Sequence, residues 1–271
     1  MIELKSRRHT VDDLGSAIEL CYANGWTDGL PVIPPTAERI AAMLDAGGFK
    51  PDEQLSFIEN RQVSVTAEKV AINAVMAGCK PEYMPVITAT IRALADPKYG
   101  YHGPATSTGG SAVFMLVNGP IAKQLNINSG DNVFGQGWRA NATIGRSIRL
   151  FLLNVLGGIP GQLDRSTLGH PGKFTFCVAE DEEDSPWLPL SVERGVPAGV
   201  SAVTSLQVES PMQIMNEWTH DPREICDTYA AAMRSNMLLY SIWEGNYALV
   251  IAKQHREIFA AAGWTKQNIR E

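Results

Sequence analysis

The amino-acid sequence predicts an α/β (or α+β) protein in which a mixed sheet is surrounded by helices. Helix-capping residues followed by apolar residues at helical spacing fill residues 10–96 and return in residues 210–271. Short apolar, β-branched runs occur mainly in residues 100–210. No linker rich in Pro, Gly or Ser separates these parts. We therefore expect one compact domain over residues 1–271, with the sheet in its middle part.

The N-terminal part carries the signals of four helices. Thr10, Thr36 and Thr66 each stand where a side-chain N-cap is needed. Glycines follow the first three helices, as is common at helix C-termini, and Pro81 takes the first position of the fourth. The predicted helices run over residues 11–23, from Thr36 to Gly47-Gly48, over 67–77 and from Pro81 to Ala95, with a proline-rich loop at 26–35.

The same signals assign the rest of the chain. Apolar runs predict strands at Ser111–Val117, Lys173–Ala179 and Ser201–Val208. A helix is predicted at Asn141–Leu156, before Gly157-Gly158. In the C-terminal part the sequence predicts helix starts at Ser210-Pro211 and Asp221-Pro222, a strand at Tyr247–Ala252, a helix from there to Ala262 and a last turn capped by Thr265.

Charge and hydropathy exclude several classes of function. The net charge is −6, and no run of Lys or Arg exceeds two residues. Such a chain is a poor partner for nucleic acid or for an anionic membrane, because both need clustered cations. No apolar run approaches the ~18 residues of a membrane span, and no apolar stretch follows the basic N-terminal residues. A cytoplasmic location is therefore expected.

Cysteines and histidines show no metal-binding spacing. The four cysteines are at least about forty residues apart, which excludes CxxC redox and local zinc patterns. The five histidines form neither HxH nor HExxH. The sequence therefore calls for no metal and identifies no cofactor. The four cysteines are Cys21, Cys79, Cys177 and Cys226, and the five histidines are His9, His102, His170, His220 and His255.

A Gly-, Asn- and Arg-rich segment, residues 126–149, is the strongest candidate site. It reads as a polar loop that leads into a helix N-terminus, where unpaired amides and the helix dipole favour an anion. Arginines nearby would add a bidentate fork for a carboxylate, phosphate or oxyanion. Alternatively, Gly and Asn build tight turns and the arginines pair with acidic residues of the fold. The predicted substrate-binding residues are Asn128, Ser129, Asn132, Arg139, Asn141, Thr143 and Arg146.

Four residues are candidates for catalysis. Cys79 precedes a predicted helix, whose amides would favour a thiolate, although it would equally serve as a small buried residue. Glu180 and Glu182 follow a predicted strand, where carboxylates often reach a site edge, but an acidic run is also typical of a solvated turn. His170 lies in a loop and would act as an acid or base.

Several longer stretches resemble a known bacterial family. They are residues 25–36 (GWTDGLPVIPPT), 73–83 (NAVMAGCKPEY), 139–146 (RANATIGR) and 171–187 (PGKFTFC to SPW). Members of this family occur beside, or fused to, a small domain with a selenocysteine- or cysteine-Gly-Ser-Cys motif. The resemblance covers residues 11–267 and implies thiol chemistry. Because this chain has no Cys-Gly-Ser-Cys, it also implies that a small partner subunit supplies the thiol or selenol, unless Cys79 suffices.

Together these features predict a small-molecule enzyme or enzyme subunit. It would bind an anionic or carbonyl-bearing substrate at residues 126–149 and use lyase, hydrolase or reductase chemistry, with a thiol or a carboxylate as the reacting group. The alternative is a non-catalytic partner subunit of a thiol or selenol protein, with the acidic residues 180–184 serving in docking. We expect a homo-oligomer and no nucleic-acid or membrane partner.

Overall fold

The computed structural model describes residues 3–237 and 247–271 and confirms a mixed α/β fold. Helices surround a three-stranded mixed sheet, and a separate hairpin lies in the N-terminal part. The strands are β1 Gln54–Ile58, β2 Val63–Thr66, β3 Ala112–Asn118, β4 Cys177–Ala179 and β5 Ala202–Val208. The helices are α1 Leu14–Ala23, α2 Ala37–Gly47, α3 Ala67–Ala77, α4 Met84–Ala95, α5 His102–Thr106, α6 Pro120–Gln124, α7 Arg139–Asn154, α8 Leu190–Glu193, α9 Pro222–Met237, α10 Lys253–Ala261 and α11 Lys266–Arg270.

The chain groups into two compact units. The first contains Met1–Asp181 and Pro189–Ser210, and the second contains Glu182–Leu188 and Pro211–Glu271. Because the second unit is assembled from one short and one long segment, no single linker in the sequence marks a boundary. That the whole chain forms one domain therefore stays a prediction.

The sheet of the first unit has the strand order β4-β3-β5. β3 pairs parallel with β4 and antiparallel with β5, so the sheet is mixed. Alternate residues of β3 point to opposite faces. Val113, Met115 and Val117 belong to the main core with α3, α4 and α7. Phe114 packs on the other face with Phe176 and Val178.

Helix α7 lies at the centre of the main core and packs along α3. A close approach at Gly145 fixes its position, because an added Cβ would lie 2.7 Å from the Phe176 amide nitrogen and 3.1 Å from the Thr175 Cα. The contact is with backbone atoms, so only glycine fits there without a shift of the chain. The sequence places the start of this helix at residue 141, whereas it begins at Arg139.

Four expectations for local structure were wrong. Thr10 does not cap the first helix, because that helix begins at Leu14 and is capped by the Asp13 side chain. The predicted strand at 173–179 keeps only Cys177–Ala179, since residues 171–173 form a 3-10 turn that directs Lys173 towards Asp164. Residues 247–252 form no strand, because no described strand pairs with them and they only pack apolar side chains in the second unit. No helix starts at Ser210-Pro211. Residues 211–220 form neither a helix nor a strand.

The sequence did not predict the β1–β2 hairpin. Its strands are only five and four residues long, and their pairing contains an irregularity between Gln54 and Ser56. Strands this short have too few alternating residues to stand out in a sequence.

The second unit has its own small core. Ile225, Tyr229 and Phe259 are buried between α9 and α10. The indole of Trp187 donates a hydrogen bond to the Trp264 carbonyl. Asp184 pairs with Lys253 and Arg256, which joins the short segment of this unit to α10.

Candidate functional site

The loop part of the predicted site is held together by its own asparagines. Asn128 accepts a hydrogen bond from the Gly130 amide and donates one to the Asp131 carbonyl. Asn132, in the left-handed region at φ 56°, donates to the Gln136 carbonyl. Ser129 lies half-buried between them. These contacts are those of tight turns, the alternative interpretation of this composition.

Asn141 connects the start of α7 to the sheet. It is buried, and its side chain accepts from the Asn128 amide and donates to the carbonyls of Asn128 and Cys177. Thr143 donates to the Arg139 carbonyl one turn earlier in the helix. Both side chains therefore use their polar atoms on the backbone of the fold.

Arg146 forms a bidentate ion pair with Asp28. Its Nε and Nη2 lie 2.8 and 2.7 Å from the two carboxylate oxygens, and Nη2 also donates to the carbonyls of Leu30 and Pro31. The Asp28 side chain is 3% exposed and that of Arg146 16%. The guanidinium thus anchors the proline-rich loop at 26–35 to α7. Its predicted role in substrate binding would require this pair to open.

Arg139 and Cys79 meet at the end of α3. Arg139 donates through Nε and Nη2 to the Gly78 carbonyl. The Cys79 thiol is buried and donates to the Thr143 carbonyl at 3.1 Å. Burial raises the pKa of this thiol to about 12, although the charges of Arg139 and Arg146 lower it in part. The thiolate that a helix N-terminus was expected to favour is therefore disfavoured here.

We expect iodoacetamide to modify Cys79 slowly in the folded protein. At pH 8 a thiol of pKa about 12 has about 1,000-fold less thiolate than an ordinary cysteine, and the thiolate is the reactive form. Peptide mass spectrometry of timed samples measures the rate, and the protein unfolded in guanidinium serves as the control. Labelling of Cys79 before half-exposed Cys226 would contradict this expectation.

The acidic residues after β4 are divided between the two units. Glu180 belongs to the first unit, where its Oε2 accepts hydrogen bonds from the Asn118 side chain and the Leu190 amide, both at 2.7 Å. Glu182 belongs to the second unit. Glu180 thus joins the end of β3 to the start of α8, which is a structural contact.

A pocket in the first unit lies between α5, the start of β3, α7 and the long segment at 157–176. Its cavity volume is about 40 Å³, which is room for roughly three waters or the head of a small molecule. Apolar side chains form much of the wall, and the charged side chains lie together around Asp164. The lining residues used below are Tyr101, Ile148, Arg149, Leu152, Asp164, Lys173, Phe176 and Gln207.

Asp164 organises the charged part of this pocket. Its carboxylate is 7% exposed and accepts from Arg149 Nη2 at 3.2 Å and from Lys173 Nζ at 2.8 Å. Ser166 donates to the same carboxylate and accepts from Lys173. Burial alone would raise the pKa of Asp164, but the hydrogen bonds from Lys173 and Ser166 outweigh it and lower the pKa to about 2. Two cations therefore share one ionised carboxylate.

Tyr101 presents a protonated phenol to this charge cluster. Burial raises its pKa to about 12, against the opposing charges of Arg61 and Arg149. The hydroxyl thus remains a hydrogen-bond donor at neutral pH. The local charge is positive, because the two cations Arg149 and Lys173 pair with the single carboxylate of Asp164.

His170 lies beside the pocket and does not line it. Its Nδ1 accepts from the Gly172 amide, and its ring packs edge-on against Phe176. Nε2 is buried. Burial lowers the pKa of His170, against a hydrogen bond with the Val208 backbone that raises it, so the ring is neutral. Its predicted role as an acid or base would need a ligand to reach this nitrogen.

The charge cluster itself was not predicted. Arg149 lies on α7, whereas Asp164 and Lys173 lie in the irregular segment that follows it, and each is ordinary in its local context. One signal was present: residues 157–176 form a stretch of twenty residues with little regular structure, and such loops are uncommon in compact domains unless they are functional.

Two further observations concern the described residues alone. Within 3–237 and 247–271, no three His, Cys, Asp or Glu side chains are grouped closely enough to hold a metal ion. Among the same residues, no helix has the length and apolar character needed to cross a membrane.

Comparisons with family models, curated proteins and solved structures returned no match to this chain. The function must therefore be inferred from the geometry of the first unit.

Proposed function

We propose that the first unit binds a small organic anion in the pocket at Arg149 and acts there as an enzyme or an enzyme subunit. The observation that supports this is the pair of largely buried cations, Arg149 and Lys173, which share the single carboxylate of Asp164 beside an apolar wall. Burying an uncompensated positive charge is costly, and a bound carboxylate or phosphate would relieve that cost.

Arg149 is the main anchor in this proposal. Both of its hydrogen bonds to described residues leave from Nη2, one to Asp164 and one to the Gly158 carbonyl. The guanidinium is thus held in one orientation. Its Nη1 and Nε donors do not share an edge, because Cδ lies between them, so each is suited to a separate acceptor. A guanidinium held in this way offers its donors at fixed positions, which a flexible ammonium does not. A bidentate contact with a carboxylate would have to share Nη2.

The rest of the pocket suits a short carbon skeleton. Ile148, Leu152 and Phe176 supply apolar contacts, and the Tyr101 phenol supplies one donor. The small cavity volume of about 40 Å³ favours a ligand of few heavy atoms. Small-molecule sites commonly combine apolar walls with a few convergent polar groups.

The same groups would also serve catalysis. Arg149, Lys173 and Tyr101 would stabilise negative charge that develops on a carbonyl oxygen, as in hydrolase or lyase chemistry. None of the four cysteines lines the pocket. Thiol chemistry at this position would therefore use a second polypeptide, such as the small subunit that the family resemblance implies.

Ligand-induced stabilisation tests the proposal. We expect at least one anion among acetate, propionate, pyruvate, malonate and phosphate to raise the Tm of the wild type, by about 2–4 °C for each kcal/mol of binding. An Arg149→Gln variant should lose this shift, because it keeps the Lys173–Asp164 pair but lacks the positive charge and the Nη1 and Nε donors of the guanidinium. Sodium chloride at equal ionic strength corrects for general salt effects.

Arg165→Gln is the matched control. Arg165 is exposed, lies in the same segment and makes its hydrogen bond to the Gly161 carbonyl. It should keep the wild-type shift. Equal shifts in the wild type and the Arg149→Gln variant would refute binding at this pocket.

A further inference from the structure

The sheet contributes a polar side chain to the pocket at Arg149. Gln207 of β5 lies directly opposite Val113 of β3, so the two side chains point to the same face of the sheet. Val113 belongs to the main core with α7, and both residues line the pocket. The half-buried amide of Gln207 therefore lies in the wall that the sheet supplies. Arg149 and Lys173 come from α7 and from the segment after it.

One side of the Gln207 amide is already used within the protein. The Ser111 hydroxyl donates to Gln207 Oε1 at 3.3 Å and lies 3.5 Å from the Pro104 carbonyl. Nε2 of Gln207 makes no hydrogen bond with any residue that the structure describes. It is not among the unpartnered polar atoms that are sealed from solvent, so a ligand in the pocket can reach it. Because an amide nitrogen only donates, the partner of Nε2 must be an acceptor.

The charge of the pocket limits its ligand to one negative group. Arg149 and Lys173 carry two positive charges, and Asp164 offsets one of them. Among the residues that line the pocket, all in the described part of the chain, no other side chain is charged at neutral pH. One bound anion balances the remaining positive charge. A second anionic group beside Gln207 would be buried without a cation, which is costly. The acceptor at Gln207 is therefore an uncharged oxygen.

We propose that the ligand of this pocket is a short oxo acid, a monocarboxylic acid that also carries a ketone or aldehyde oxygen. This inference rests on the proposed function, since it places the carboxylate at Arg149. The carbonyl oxygen accepts a hydrogen bond from Gln207 Nε2. A carbonyl fits better than a hydroxyl, because a hydroxyl brings a proton and Gln207 Oε1 already accepts one from Ser111. The cavity volume of about 40 Å³ favours a short carbon skeleton.

Matched pairs of acids test this inference. Pyruvate and propionate, acetoacetate and butyrate, and levulinate and pentanoate differ within each pair only by the oxo group. Isothermal titration calorimetry at pH 7 measures the Kd of each acid. We expect one oxo acid to bind at least about fivefold more tightly than its plain partner, the effect of one hydrogen bond. The dianion malonate should bind less tightly than this oxo acid. Equal Kd values within every pair would overturn the inference.

Two variants assign the two contacts. Gln207→Met keeps the length of the side chain without its amide, and leaves Ser111 the Pro104 carbonyl as an acceptor. It should bind the preferred oxo acid about fivefold more weakly and the plain acid with the wild-type Kd. Arg149→Gln should weaken the binding of both acids at least about tenfold, since it removes a charged donor. Circular dichroism verifies that each variant is folded.

The outcomes separate this inference from the proposed function. A folded Gln207→Met variant that still prefers the oxo acid as strongly as the wild type would overturn the role of Gln207. If the wild type binds both acids of every pair equally and Arg149→Gln weakens both, the oxo-acid inference fails and the anion site stands. If no acid binds, or if Arg149→Gln weakens neither acid, the proposed function fails as well.

Discussion

Replacing Arg146 by Leu is expected to lower the free energy of unfolding by about 3–5 kcal/mol. The substitution leaves the Asp28 carboxylate, which is 3% exposed, without its bidentate partner. It also removes the hydrogen bonds to the carbonyls of Leu30 and Pro31 that hold the loop at 26–35 against α7. Urea unfolding followed by circular dichroism measures the loss.

The double variant Asp28→Leu/Arg146→Leu is the control for this prediction. It removes both charges, so no buried ion is left unpaired, and part of the lost stability should return. A loss below about 1 kcal/mol in the single variant would show that the pair does not anchor the loop. Arg146 would then be available to a ligand, as the sequence suggested.

Replacing Asp164 by Asn should also lower the free energy of unfolding by about 3–5 kcal/mol, because it leaves buried cations rather than a buried carboxylate without a partner. The change leaves Arg149 and Lys173 as neighbouring positive charges without their shared carboxylate. It also weakens the hydrogen bonds that Ser166 and Lys173 make to this side chain. Urea unfolding at pH 7 measures the effect, with the exposed residue Asp131 changed to Asn as the control.

Asp164 also predicts a dependence of stability on pH. Its pKa is about 2 in the folded protein, against about 3.9 for an unfolded chain. Its ionised form therefore contributes stability that is fully present above about pH 4 and is lost as the pH falls towards 2. The Asp164→Asn variant should lack this part of the acid-induced loss, whereas Asp131→Asn should keep it. An identical acid profile for Asp164→Asn and the wild type would contradict the assignment.

The sequence predicted those parts of the fold that depend on local signals. Thr36 caps α2 through its side chain, and glycines in the left-handed region end α2 and α3, as their positions indicated. The central strand β3 was placed within one residue, because its apolar run is long and buried on both faces. Features that depend on tertiary contacts were not predictable. The ion pair between Lys173, at the end of the turn at 171–173, and Asp164 is such a contact.

The candidate site likewise depends on tertiary contacts that the sequence does not reveal. A stretch such as residues 126–146 is conspicuous in composition, yet its polar atoms are used on turns, on the backbone of β4 and on Asp28. The cluster at Arg149 joins α7 to two residues of the segment at 157–176, and no spacing rule connects these three residues. Only burial of the Asp164 carboxylate beside two cations distinguishes it from a surface ion pair.

A crystal structure grown with the organic anion that most raises the Tm would test the binding site most directly. We expect the anionic group within hydrogen-bonding distance of Arg149 and Tyr101, with its carbon atoms against Ile148 and Leu152. Density for the anion at residues 126–139 instead, or an empty pocket at saturating concentration, would contradict the proposed site.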